Sequence, residues 1–271
     1  MKKWLSIIGL SLFVLSCVGQ KDDPEDIPED PTENPGAGGE EAGSRFFRRV
    51  LALEFTATWC QYCPNMQAAL EEAQRQRPGR FVEIAVHQYD EMTPAEADAL
   101  VNLFQVSYYP SMVFDWDQAT LFNEQDATIM LSYLDAELEK EEEACGIAME
   151  SKIEGNVLSV VVRMKAVKAG RYSLVAALVM DNIIAENQAG YGPDYPCQAV
   201  LRSYLGGFTP ASAKELAAGE EYSTTFTADA PADAGQCRIV AYILSEGKAL
   251  NALSCGLNET IDYTYEKEDL D

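Results

Sequence analysis

The sequence predicts an α/β domain, a mixed sheet flanked by helices, followed by an all-β antiparallel sandwich. Three observations predict it. Helical and strand-like apolar patterns alternate up to Cys145. Beyond Cys145 only strand-like runs remain, punctuated by Asn156, Gly170, Gly219 and Gly247. Finally, an apolar run, Val50 to Phe55, leads through Thr56-Ala57-Thr58-Trp59 into Cys60-Gln61-Tyr62-Cys63 at the head of a helical stretch.

The elements follow in order. Met66, Ala69, Leu70 and Ala73 recur at i, i+3, i+4 and i+7, so Pro64 to Arg75 is an amphipathic helix. Phe81 to Val86 is a buried strand. Pro94 to Phe104 repeats the helical spacing at Ala97, Leu100, Val101 and Phe104, with Thr93 as N-cap. Ser111 to Phe114 is a strand after Pro110, and Leu131, Leu134 and Leu138 mark a last helix before a run of glutamates. This order gives a mixed sheet with helical flanks. In the second half, Val157 to Met164, Tyr172 to Ile184, Glu221 to Thr227, Cys237 to Leu244 and Asn251 to Leu257 are strands separated by turns. The connection from Ala185 to Gly219 is long and rich in Gly, Tyr and Pro, which in a compact domain marks a functional or unusual loop.

The N-terminus has the features of a signal peptide. Lys2 and Lys3 precede an apolar stretch, Trp4 to Val14, too short to span a bilayer. Val14-Leu15-Ser16-Cys17 resembles a bacterial lipobox, in which the Cys is acylated with palmitate-type chains and becomes the mature N-terminus. Each buried CH₂ contributes about 0.8 kcal/mol, so a multiply acylated Cys17 is a stable anchor. Val18 to Ser44 alternates acids with Pro24, Pro28, Pro31 and Pro35 and has little apolar surface to bury. It is a tether. Lys21-Asp22-Asp23 resembles the surface-export signal of Bacteroidetes lipoproteins, while a plain tether would face the periplasm. The expected organisation is signal peptide 1–16, lipidated Cys and tether 17–44, α/β domain 45–145, sandwich 146–265 and acidic tail 266–271.

With 20 Lys and Arg against 44 Asp and Glu, the formal net charge is -24. No basic stripe exists to displace counterions, so nucleic acid is excluded as a partner class, and membrane association falls to the lipid. Of seven cysteines, Cys17 goes to lipid and Cys60 and Cys63 to the motif. Cys145, Cys197, Cys237 and Cys255 are an even set that suggests two structural disulfides of undetermined pairing, with free buried thiols as the alternative. No zinc spacing is present and there is one His, so neither metal nor other cofactor is expected.

Strand, CxxC, helix and X-Pro before a strand is the layout of a dithiol redox site. A dithiol at a helix N-terminus has its first sulfur stabilised as thiolate by backbone N–H groups and the helix dipole. Cys60 is therefore the expected exposed nucleophile and Cys63 the buried resolving thiol. Pro64 sits where its missing N–H costs nothing, and Trp59 shields one side.

Leu53 to Cys63 is similar to the active-site strand and turn of the thioredoxin superfamily. The resemblance implies a thioredoxin-like fold for 45–145. It implies that Glu54 is a buried acid moving protons to and from Cys63, and that Pro110 is a cis-proline beside the disulfide. Gln61-Tyr62 matches neither the Gly-Pro of reducing members nor the dipeptides of oxidases and isomerases, which leaves redox direction open. A wider resemblance covers most of the mature chain. Glu54-Phe55-Thr56, Ala85-Val86-His87 with Asp90, Tyr109-Pro110-Ser111, Leu178 to Ile183, Ala199 to Arg202 and Asn251-Ala252 resemble the Bacteroidetes lipoproteins related to the twenty-eight-kilodalton outer membrane protein. That family implies an outer-membrane lipoprotein, periplasmic or surface-facing, without implying a reaction.

Two functions follow. One is a thiol–disulfide oxidoreductase acting on envelope proteins with thiols or disulfides. The other is a non-enzymatic surface lipoprotein with a structural CxxC disulfide and a partner-binding β domain. A copper site would need a His or Met by the dithiol, and His87 lies on another segment, where it serves as a strand-end hydrogen-bond partner or a proton-transfer group.

Overall fold

The computed structural model describes residues 45–140, 144–209 and 213–266. The signal peptide, Cys17, the tether and residues 267–271 of the tail lie outside the described residues.

The first half folds as β1 (Val50–Thr56), α1 (Cys63–Gln76), β2 (Phe81–His87), α2 (Ala97–Phe104), β3 (Ser111–Phe114) and α3 (Ala127–Leu138). β1 pairs parallel with β2 and antiparallel with β3. It is buried along its whole length, as an interior strand covered on both faces must be. Leu51, Leu53 and Phe55 pack with Ile84, Leu100, Phe104 and Val113. Val50 and Ala52 face the other way, onto Met66, Leu70 and Ala73 of α1 and Met130 and Leu134 of α3. Glu54 shares that second face by alternation, so its carboxyl lies beneath α1.

α1 begins at Cys63, with Pro64 in its first turn. The expected cap of α2 differs. The helix starts at Ala97 rather than Pro94, Glu96 occupies the cap, and the Thr93 hydroxyl accepts from the Asp90 N–H at 2.9 Å instead. Thr93 is spent on closing the turn that Asp90 organises. The Asp126 side chain caps α3 by accepting from the N–H groups of Thr128 and Ile129.

The second half contains β4 (Gly146–Glu154), β5 (Val157–Lys165), β6 (Gly170–Met180), β7 (Ile183–Ala185), β8 (Tyr195–Cys197), β9 (Val200–Tyr204), β10 (Lys214–Leu216), β11 (Glu221–Asp229), β12 (Cys237–Ser245), β13 (Lys248–Gly256) and β14 (Thr260–Ile261). A four-stranded sheet, β11-β5-β4-β14, packs Ile147, Met149, Val160 and Val162 onto Leu174, Ala176, Ile239 and Ala241. That pair of layers is the sandwich.

The larger sheet runs β13-β12-β6-β9-β2-β1-β3, with β10 also on β6. β9, inside the long connection, bonds antiparallel to β6 and parallel to β2, with Val200 opposite Ala85. One sheet therefore crosses from the α/β part into the β part. Alternation along β6 and β12 divides between two cores: Val175, Ala177, Val179, Val240 and Tyr242 join the Leu51 core, and their neighbours join the sandwich. Both faces are buried, so these strands show a nearly unbroken apolar run.

The run expected as one strand from Tyr172 to Ile184 is broken at Asp181-Asn182. Asn182 has φ 57°. The Asp181 carboxylate accepts from Ala199 N at 2.8 Å and Arg238 Nε at 2.9 Å, tying the end of β6 to the start of β9.

Cys145, Cys197, Cys237 and Cys255 are free and buried, so the expected two disulfides are absent among the described residues. The geometry accounts for this. Cys255 lies opposite Ile239, which makes Cys237 its diagonal neighbour. Diagonal neighbours stand about 7–8 Å apart, beyond the usual Cα separation of a disulfide. Cys197 packs with Met92, Ala185 and Val200, in a different cluster from the other three.

Candidate functional site

β1 delivers the chain to a tight turn, where Cys60 N donates to Ala57 O at 3.1 Å, and Cys60 and Cys63 are joined by a disulfide with Cα atoms 5.5 Å apart. Both sulfur-bearing residues are buried, Cys60 at 5% and Cys63 at 3% exposure. The expectation of an exposed Cys60 beside a buried Cys63 is not met in this disulfide form. Ala57 and Tyr109 pack against the pair.

Three supports hold the turn. Asp90 accepts from Thr58 N at 2.8 Å and pairs with His87 Nδ1 at 2.7 Å. Burial works against the Asp90 carboxylate, but the bonds from His87, Thr58 and Met92 hold its pKa below the ordinary value. His87 is thus a strand-end partner of Asp90, and it also borders the cavity beneath the dithiol. On a second side, Trp59 Nε1 donates to Gln88 O at 2.8 Å and its ring meets Tyr109 edge-on at 5.2 Å. The Tyr109–Pro110 bond is cis, Pro110 is buried, and Ser111 Oγ donates to Tyr108 O at 2.7 Å.

The third support comes from the β part. Gln188 Nε2 donates to Cys60 O at 2.8 Å and weakly to Ala57 O at 3.4 Å, and Ala189 N donates to Thr58 O at 2.8 Å. The need for it is local. Cys60 lies two residues before Tyr62, the cap of α1, so its carbonyl falls outside the helical ladder and needs a donor from elsewhere. Gln188, only 2% exposed, supplies the donor. Gly190 makes the approach feasible. Its φ is +82°, and a Cβ there would stand 3.2 Å from Gln61 O.

Beneath the disulfide lies a cavity of about 10 Å³ bordered by Glu54, Cys63, His87, Gln188, Tyr195 and Cys197. Glu54 is 3% exposed, and its Oε1 has no hydrogen-bond partner. Burial pushes its pKa well above the usual range. The Glu83 carboxylate adds to that, and a hydrogen bond from Thr56 opposes it. Glu83 Oε1 is likewise buried without a partner, and burial raises that pKa too. The Cys197 thiol is pushed up to about 12, by burial first and then by the charges of Asp90 and Glu54, so it is a neutral thiol at neutral pH.

The structure brings Trp59, Cys60, Cys63, Glu54 and Pro110 together at one end of β1. Sequence reasoning missed Gln188, Gly190 and Glu83. The only signal for the first two was the long 185–219 connection with its glycines. Cys197 stands at the same cavity. Cys145, Cys237 and Cys255 lie in the sandwich core instead.

Residues 46–136 match the thioredoxin family model. The fold is similar to that of HBP35 of Porphyromonas gingivalis, with a TM-score of 0.65 and 16% identity over 84% of this chain and 81% of that one. It is also similar to AGR_C_4864 of Agrobacterium tumefaciens, with a TM-score of 0.56 and 14% identity over 82% of this chain and 97% of that one. No curated protein matches the sequence. At these identities the likeness is one of fold: a thioredoxin domain followed by a many-stranded antiparallel β region.

Proposed function

We propose that this chain is a thiol–disulfide oxidoreductase of the bacterial envelope, held to the outer membrane through an acylated Cys17 and acting on proteins with thiols or disulfides. The observation that carries the reaction is Glu54, a buried carboxyl with an unpartnered oxygen, bordering the same cavity as Cys63. Burying such a group is costly and contributes nothing to a static disulfide.

The chemistry follows from the positions. In the reduced protein, the Cys60 thiolate attacks one sulfur of a substrate disulfide. A mixed disulfide forms, and the substrate's other sulfur leaves as thiolate. Cys63 then loses its proton to Glu54 and attacks Cys60 Sγ. The Cys60–Cys63 bond forms, the second substrate sulfur leaves, and the substrate is reduced by two electrons. Run backwards, the same steps oxidise a substrate dithiol. Glu54 acts as general base in one direction and general acid in the other.

The anchoring part rests on the lipobox-like Val14-Leu15-Ser16-Cys17. A Cys17→Ala variant that stays in the membrane fraction would remove it. The reaction is tested by the equilibrium of the Cys60–Cys63 pair with glutathione. A potential between roughly −120 and −270 mV is that of a working exchanger. A potential below about −300 mV is that of a locked structural bond. That result would favour the second reading, a binding scaffold, which draws support from the burial of both sulfurs.

A further inference from the structure

A second cavity, of about 700 Å³, lies at the N-terminal end of β1, away from the dithiol. Its size falls within the usual range of small-molecule sites, and it sits on the seam between the α/β and β parts, where such sites are common. Six basic side chains line it: Arg45, Arg48, Arg77, Arg80, Lys140 and Lys165. The whole chain has 20 Lys and Arg against 44 acids, so a protein of net charge -24 places nearly a third of its cations around one hollow. Phe46, Leu138 and Val167 give the wall an apolar share.

Three carboxylates, Asp135, Glu139 and Glu266, share the lining. Asp115, Glu137 and Glu221, outside the lining, partner Arg48, Lys140 and Lys165. Total charge therefore decides little; the donors left unspent among the described residues decide more. A guanidinium has five N–H groups. Arg77 spends three, two on Asp135 and one on Gln76 O, which leaves two. Arg80 spends two on Glu266, at 2.6 and 2.8 Å, which leaves three. Both heads are partly open to solvent, at 40% and 31% side-chain exposure. Both are also held in place: the bidentate pairs fix their planes, and Arg80 lies 4.0 Å over the Phe47 ring. Fixed guanidinium forks with donors to spare are suited to carboxylate and phosphate oxygens and lose little freedom on binding them.

We propose that this cavity binds a small organic or inorganic polyanion carrying two or more carboxylate or phosphate groups. Arg77 and Arg80 grip one group from the α/β side. Lys165 and Arg45 meet the other from the β side and the rim. This ligand is independent of the dithiol reaction.

The test is calorimetric titration of the full chain with pyrophosphate and, separately, citrate, at constant ionic strength. The expected result is saturable binding of at least one, with the preferred probe separating phosphate from carboxylate chemistry. Arg77→Lys keeps the charge and loses the fork, and Arg45→Gln leaves the internal pairs untouched. Each is expected to weaken binding about tenfold, the loss of one charge-assisted contact. No binding of either probe at millimolar concentration overturns the proposal. So does equal affinity in wild type and both variants, which would mean an adventitious ion only.

Discussion

Each end of β1 buries a carboxyl, and the protein treats the two oppositely. Near the N-terminal end, Asp115 accepts from Leu51 N at 2.8 Å and from Arg48 Nη2 at 2.8 Å. Near the C-terminal end, Glu54 has an unpartnered Oε1 and a second acid, Glu83, for company. Burial raises both pKa values. For Asp115, Arg48 and the Leu51 N–H pull the other way, and the result is about 7. For Glu54, Glu83 pushes further upward. An acid built for structure is given partners that match its charge. In the proposed reaction, the acid that exchanges a proton is the one left short of them.

The largest expected effect breaks the structural end. Asp115→Ala leaves Arg48, 7% exposed, without that counter-ion in the interior. Removing one partner of a buried pair costs about 3–5 kcal/mol, so urea denaturation should show a loss of that size. Glu54→Ala should stay within about 1 kcal/mol of wild type, because the transfer of an unpartnered polar group is recovered against the cavity left behind. Equal losses in the two variants would erase the distinction.

The second effect is kinetic and confined to the other end. Glu54→Ala should slow the resolution of mixed disulfides by about 10²-fold, the scale of general-base catalysis. Stopped-flow mixing of the reduced protein with an oxidised model substrate measures that step. Equal rates from pH 6 to 8 would take Glu54 out of the mechanism.

Stability should carry the same signature in its pH dependence. Glu54 and Asp115 both bind a proton more tightly folded than unfolded. Their stabilisation is complete below the unfolded values, 4.5 and 3.8, and is lost as pH rises through the folded ones. For Asp115 that window runs from about 4 to about 7. Stability should therefore fall from pH 5 toward pH 8, and Glu54→Ala should make the fall shallower. A flat profile in the wild type would mean the two acids are not buried as described.

Much of this was legible in the sequence, and the rest was hidden for physical reasons. The β1–turn–α1 unit is local: strand run, CxxC and Pro64 sit within fifteen residues, so their spacing specifies their geometry. The burial of Glu54 could be anticipated because Leu53 and Phe55 flank it in a strand that needs covering on both faces. Asp115 could not, since its partners Arg48 and Leu51 are far away in sequence. Nor could the shared sheet, because β9 is a short strand whose partner β2 lies more than a hundred residues earlier, and its pattern was submerged in a long Gly- and Tyr-rich connection. Gln188 was invisible for the same reason. A buried glutamine has no period of its own, so nothing beyond that connection marked it as the donor to Cys60.

That donor gives a smaller expected effect. Gln188→Ala removes one neutral hydrogen bond to the redox turn, worth about 1 kcal/mol, or about fivefold in the closure of the Cys60–Cys63 ring. The equilibrium with glutathione, compared between variant and wild type, reads this directly. Gly190→Ala should shift it the same way by pressing a methyl group toward Gln61. An unchanged equilibrium in both would mean that the β part merely touches the dithiol.

The smallest effect concerns sulfur, and it extends the comparison of the two ends to the remaining cysteines. Cys145, Cys237 and Cys255 pack in the sandwich core as small apolar side chains, and burial raises all three thiol pKa values. Cys197 borders the Glu54 cavity, yet its thiol, pushed up to about 12, is neutral at working pH. Since the thiolate is the nucleophile in exchange, none of the four should take part. Alkylating the unreduced protein in denaturant should therefore label these four cysteines and leave Cys60 and Cys63 unlabelled, as peptide mass mapping would show. Replacing Cys255 or Cys237 by Ala should cost about 1 kcal/mol, the loss of a small buried group, rather than the 2–5 kcal/mol typical of a lost structural disulfide. Labelling of only two of the four would mean that a pair is bonded in the protein. If Cys197 were one of that pair, the cavity that Glu54 and Cys63 border would be bordered by a second disulfide as well, and the proposed exchange would have a third sulfur within its reach.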